Sequence, residues 1–150
     1  MIFGAGGVGL SLIVIAKFLR ARNIIIVDKD LAKLKIAKDL GANYQIQSIN
    51  NDEIRNEIIR YLGQLPEVSI DTTGATQAIE CAYECTSSTG RVLTLGIPDY
   101  KAKISINPLD LQFGKKLLGS HGGLSIPNVD IPHIFNLIIN SSNSDHKEFI

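Results

Sequence analysis

Short, strongly apolar runs alternate with longer amphipathic ones along almost the whole chain. Ile2-Phe3 is a strand-like stub. Asn23 to Val27 is a β-branched run too short for a helix, and Val68 to Thr72, Arg91 to Leu95 and Leu117 to Ser120 read the same way. Tyr44 to Gln47 is a weaker extended stretch. Between these runs the apolar spacing is helical. Val8 to Arg20 carries Leu12, Ile13, Ile15, Ala16 and Leu19, apolar nearly all round, which predicts a mostly buried helix. The next stripe is Leu34, Ala37 and Leu40, with Asp30 placed to cap it and Gly41 to stop it. Asp52 to Leu62 presents Ile54, Ile58, Ile59 and Leu62 on one side, and Thr76 to Cys85 is a fourth helix. Ile104 to Asn107 reads as a short extended piece before a helix from Pro108 through Phe113. Ile131 to Ile139 is the last helix, with Pro132 in its first turn. Ser141 to Ser144 is a polar break, and Asp145 to Ile150 begins a further element. Alternation of this kind, without a repeat or a dividing linker, predicts one α/β domain: a doubly wound parallel sheet of about six strands with helices on both faces.

The first strand runs directly into Gly4-Ala5-Gly6-Gly7-Val8-Gly9, a G-x-G-x-x-G that opens the first helix. The second strand ends in Asp28, nineteen positions after Gly9. This order of strand, glycine turn, helix, strand and acid is the fingerprint of a Rossmann fold that binds dinucleotides. Gly4 lets the chain turn tightly, Gly6 lets backbone approach a pyrophosphate, and Gly9 lets the helix pack closely. The helix N-terminus offers unpaired N–H groups and partial positive charge to the diphosphate. Asp28 accepts both ribose hydroxyls of an adenosine and repels a 2′-phosphate, favouring NAD over NADP, although neighbouring Lys29 softens that preference. In such a sheet the ligand lies beyond the carboxyl ends of the strands. Those ends are Gly4 to Gly9, Asp28, Thr72 to Gly74, Leu95 to Pro98 and Ser120 to Gly123.

Charge and cysteine content narrow the partners. Lys plus Arg equals Asp plus Glu, 15 each, so there is no electrostatic case for nucleic acid or an anionic membrane. No apolar stretch approaches a membrane span and no leader pattern precedes the glycine turn, which makes the cytoplasm the expected compartment. Cys81 and Cys85, four apart on a helix, read as small packing residues, since a metal site needs more ligands close by. His121 stands at the ligand edge, whereas His133 and His146 are far from the glycine turn in sequence.

Together these landmarks resemble the coenzyme domain of the zinc-type, medium-chain alcohol dehydrogenase superfamily. The resemblance rests on Phe3 to Ser11, Val27-Asp28-Lys29-Asp30 with Lys33, Leu40-Gly41-Ala42 and Asp71-Thr72-Thr73-Gly74. It continues through Gly90-Arg91-Val92, Leu95-Gly96-Ile97-Pro98 and Gly119-Ser120-His121-Gly122-Gly123. The segment Gly122-Gly123, Pro127 and Asp130-Ile131-Pro132 looks like bacterial zinc-dependent members that act on alcohols, polyols or sugar-like substrates.

The resemblance implies an NAD(H)-binding domain of an oxidoreductase. It places Gly6, Gly7 and Val8 at the diphosphate and Asp28, assisted by Lys33, at the adenosine ribose. Thr72, Thr73 and Gly74 fall beside the nicotinamide ribose. Leu95, Gly96, Ile97, Ser120 and His121 fall where the carboxamide is oriented. It also implies that the catalytic residues, the zinc and the contacts to a small alcohol or polyol belong to a separate domain, absent here. The chain, starting inside its first strand, is accordingly expected to be a fragment that binds NAD(H) weakly, holds no metal and is inactive alone. A homodimer or tetramer, pairing near Leu117 to Gly123, is implied by the family. Two other readings remain at this point: a zinc-independent oxidoreductase of the quinone-reductase type, against which Asp28 argues, and a regulatory nucleotide-sensing module.

Overall fold

In a computed structural model that describes residues 1–141, the sheet forms as the alternation requires. Its strands are β1 (Ile2–Phe3), β2 (Ile25–Val27), β3 (Tyr44–Ile46), β4 (Val68–Asp71), β5 (Arg91–Thr94) and β6 (Lys116–Gly119). The order is β3-β2-β1-β4-β5-β6, and every pairing is parallel. The order reverses between β1 and β4, the switch point where such sheets open a crevice. Register pairs Phe3 with both Val27 and Asp71, and Asp71 with Thr94. With Val27 opposite Ile46 and Thr94 opposite Gly119, all six strands end on one row, and the residues that follow them lie along one edge.

The helices of this first unit, Met1–Gly119, are α1 (Gly7–Phe18), α2 (Leu31–Asp39), α3 (Asn51–Leu62), α4 (Thr76–Glu84) and α5 (Pro108–Gln112). Period-two alternation splits the core in two. Ile2, Ile24 and Ile26 pack with Ile13, Leu34 and Ala37 on the α1–α2 face. Phe3, Ile25 and Val27 pack with Ile54, Ile58, Tyr83 and Val92 on the α3–α4 face. Asp30 caps α2 by accepting the amides of Ala32 (2.8 Å) and Lys33 (3.4 Å), and Gly41, at φ +111°, ends it. Asn50 caps α3 through the amides of Asp52 and Glu53, which starts that helix one residue earlier than its apolar stripe suggests.

Two expectations of burial need correction. The helix α1 is not mostly buried: Gly9 and Ile13 are, whereas Ile15, Phe18 and Leu19 are 52%, 52% and 70% exposed. The sheet gives this helix one contact face, and apolar residues beyond that face stay in solvent. On α3, Ile59 is likewise turned outward. Ile104 to Asn107 joins no ladder of the sheet; the Ser105 amide donates to the Glu80 carboxylate at 2.7 Å, which anchors this piece to α4.

The second unit starts at Ser120. Among the described residues it has a 3₁₀ turn, Gly122–Leu124, and α6 (Pro127–Ser141). This helix begins four residues before the expected Ile131, and Pro132 consequently lies inside it. Pro127 takes the first helical position, where a missing N–H costs nothing. The Asp130 carboxylate accepts the Ile126 amide at 2.6 Å and fixes the start. The expected element at Asp145 to Ile150, and His146, lie outside the described residues.

Candidate nucleotide site

The carboxyl edge of the sheet is built largely from close backbone contacts. Gly4 sits at φ +94°, and its amide donates to the Val27 carbonyl at 2.8 Å. A methyl group on Gly4 would lie 2.7 Å from the Thr72 hydroxyl. One on Gly9 would lie 1.8 Å from the Gly4 carbonyl oxygen, so the start of α1 presses on the turn that precedes it. Gly6 and Gly7 differ: a methyl group on either meets no atom within 4 Å among the described residues. Gly6 is also the N-cap of α1, with no side chain capping it and no acid in the first turn. The positive end of this helix thus faces open space.

Asp28 ties the second strand to this turn. One carboxylate oxygen accepts the Ala5 amide at 2.7 Å and the other the Asp30 amide at 2.9 Å. Each oxygen keeps a further lone pair. A cleft of about 530 Å³ opens here, and it brings together Gly4, Gly6, Asp28, Lys33, Thr72 and Thr73. Lys29, beside the second strand's end, lines it as well. So do Ser48, Ile49, Asn51, Gln77, Ala78 and Cys81, to which the sequence assigned no ligand role. These come from the loop after β3, from α3 and from α4. Asn51 donates its amide to Glu84 at 3.1 Å, and its buried carbonyl oxygen has no hydrogen-bond partner among the described residues.

Gly7, Val8, Gly9, Gly74, Leu95, Gly96 and Ile97 do not line the cleft. Val8 and Ile97 are exposed, at 55% and 87%. Gly74 (φ +72°) and Gly96 bring the exits of β4 and β5 into backbone contact, since a methyl group on Gly96 would lie 2.0 Å from the Gly74 nitrogen. The organiser of this junction is Asp71, fully buried at the end of β4. Its carboxylate accepts the Thr73 amide (3.0 Å), the Thr73 hydroxyl (2.6 Å) and the Gly74 amide (3.0 Å). Its carbonyl accepts the amides of Leu95 and Gly96. An Asp followed by Thr-Thr-Gly is an Asx-turn pattern, so the signal for Asp71 was present in the sequence. The Thr72 hydroxyl donates to the carbonyls of Phe3 (2.8 Å) and Gly4 (3.1 Å), which fastens β4 to the glycine turn.

Ser120 and His121 belong to the second unit and act locally there. The Ser120 hydroxyl accepts the Gly123 amide at 3.2 Å, and the His121 carbonyl accepts the Leu124 amide at 3.1 Å. Behind the cleft, Cys81 and Cys85 stand with their sulfurs 3.9 Å apart. The bond between them drives their acidities in opposite directions. Cys81 is pushed up by hydrogen bonding to Cys85 and by burial, and Cys85 is pulled down by the same bond, helped by Arg55. No group of three or more His, Cys, Asp or Glu among the described residues is placed to hold a metal. Nor is any of the described helices long and apolar enough to cross a membrane.

Strand order, switch point and glycine turn together define a Rossmann-type α/β fold. The sequence matches the model of the zinc-binding dehydrogenases over residues 7–139, and the chain belongs to that family. It is 31% identical to sorbitol dehydrogenase of Gallus gallus over 96 residues, 63% of this chain and 27% of the relative. It is 30% identical to S-(hydroxymethyl)glutathione dehydrogenase of Synechocystis sp. over 124 residues, 81% of this chain and 34% of the relative. Benzyl alcohol dehydrogenase from Acinetobacter calcoaceticus superposes with a TM-score of 0.85 at 28% identity, covering 93% of this chain and 39% of that one. The chain thus spans between 27% and 39% of the length of these proteins.

Proposed function

We propose that this chain is the NAD(H)-binding part of a zinc-dependent alcohol or polyol dehydrogenase. The observation that carries the reading is the Asp28–Ala5 bond, which sets a carboxylate with free lone pairs beside a glycine turn that has room for a ligand. An ADP-ribose fits those groups. Its diphosphate would take the amides at the start of α1, with Gly6 and Gly7 allowing the approach. Its ribose hydroxyls would donate to Asp28, with Lys33 alongside. The junction built by Asp71 would hold Thr72 to Gly74 and Leu95 to Ile97 as a rigid backbone frame for the nicotinamide half. Ser120 and His121 keep the role that the family implies for them. Fixing the ring so that one face meets the substrate lowers the barrier to hydride transfer. Zinc bound in the whole enzyme would polarise the alcohol oxygen; no group of three or more His, Cys, Asp or Glu among the described residues is placed to hold it, so its ligands and the substrate contacts would come from elsewhere in the enzyme. A cytoplasmic enzyme that pairs through the β6 edge completes the proposal.

Lys29 and Lys33 line the same cleft as Asp28 and favour a second reading, in which a 2′-phosphate is tolerated. Titrating the chain with NADH and NADPH separates the two. NADH should bind about tenfold more tightly or better, a gap of roughly 1.4 kcal/mol or more. Asp28→Ala should narrow that gap, with a melting curve recorded alongside because the Ala5 bond is lost too. Equal affinity of the unaltered chain for both nucleotides would contradict the NAD assignment.

A further inference from the structure

The cleft does not stop at Asp28. It runs on between the loop after β3 and α4, where Ile49, Ile54 and Ala78 give it apolar walls and Asn51 and Gln77 give it amides. Gln77 donates to the Ile49 carbonyl at 3.0 Å, which ties α4 to that loop. Asn51 is the first residue of α3, and its side-chain nitrogen donates to the Glu84 carboxylate at 3.1 Å. A carboxylate accepts and does not donate, so this bond decides which end of the Asn51 amide is nitrogen and which is oxygen. The oxygen is left buried, and it is the one buried side-chain polar atom without a hydrogen-bond partner among the described residues. Such an acceptor has given up its water and gained nothing in return. It marks a place on the cleft wall where a donor is missing.

The dinucleotide has one suitable donor to offer. Its ribose hydroxyls beside the diphosphate go to Asp28, and the diphosphate itself only accepts. The carboxamide belongs at the opposite end, by the exits of β4 and β5. What remains is adenine, a flat base whose faces suit apolar walls and whose edge carries one N–H donor group, the 6-amino group. We propose that Asn51 selects the base: its side-chain carbonyl accepts a hydrogen bond from the 6-amino group of adenine. In this structure the oxygen is covered, so the Asn51 amide turns to meet the base, a rotamer change of the kind binding commonly brings. A base without that amino group leaves the acceptor unpaired, which is how a buried polar group rejects an analogue. The inference rests on the NAD(H) reading and adds to it the choice of base.

Titration of the full chain with NADH and with reduced nicotinamide hypoxanthine dinucleotide tests it. In the second nucleotide a carbonyl oxygen replaces the 6-amino group and would face the Asn51 carbonyl. NADH should bind about tenfold more tightly or better. Asn51→Ala should weaken NADH and bring the two nucleotides within about twofold of each other, whereas Gln77→Ala should keep the preference. Equal affinity of the unaltered chain for both nucleotides overturns the base selection and leaves the nucleotide site standing. A preference that survives Asn51→Ala, or that disappears with Gln77→Ala alone, overturns the assignment to Asn51. A folded chain that binds neither nucleotide overturns the NAD(H) reading and the inference with it.

Discussion

Two glycines three residues apart in one turn do opposite work. A methyl group at Gly9 runs into the Gly4 carbonyl at 1.8 Å, whereas one at Gly6 enters open space. Gly9→Ala should therefore cost about 3 kcal/mol of stability or more, as overpacking against backbone does. Gly6→Ala should cost less than about 1 kcal/mol, as exposed substitutions do, and yet lower NADH affinity by about tenfold, roughly 1.4 kcal/mol. Urea unfolding and nucleotide titration on the two variants check this crossed pattern; a Gly6→Ala chain that binds normally would count against the diphosphate role. These glycines, Asp28 and the Asp30 cap were legible in the sequence because each imposes a local backbone requirement. Asn51, Gln77 and Cys81 were not, since they reach the cleft only through the register of β3 and β4 and the seating of α3 and α4. Asp71 was readable as an Asx turn, but its burial and its hold on the β5 exit depend on the sheet.

Element types followed from period and caps, and where the reading failed it concerned what lies outside an element. Hydrophobicity shows that a residue can be buried and does not show what covers it. The outer face of α1 makes the point: Ile15, Phe18 and Leu19 are apolar and exposed. Replacing Ile15 and Phe18 together by Lys should change stability by no more than about 0.5 kcal/mol per site, while reducing concentration-dependent self-association in sedimentation velocity. A large loss of stability would show that this face is packed within the chain. The start of α6 was missed for a related reason, because Pro132 looked like a first-turn proline until Pro127 and the Asp130 cap took that place.

At the scale of the whole molecule, β1 is the strand that joins the two halves of the sheet, paired with β2 on one side and β4 on the other. The Ile70 amide donates to the Met1 carbonyl and the Thr72 amide to the Phe3 carbonyl, each at 2.9 Å.

Fold and site meet in one assertion, that the glycine turn and the Asp28 carboxylate grip the two halves of an ADP-ribose. Backbone amide shifts of the labelled chain, followed by NMR as NADH is added, test it residue by residue. The account predicts the largest changes at Ala5 to Val8 and at Asp28 to Lys33, with the strand amino ends around Ser87 to Arg91 unmoved. Saturable shifts centred elsewhere, or a folded chain that does not respond to NADH, would contradict it.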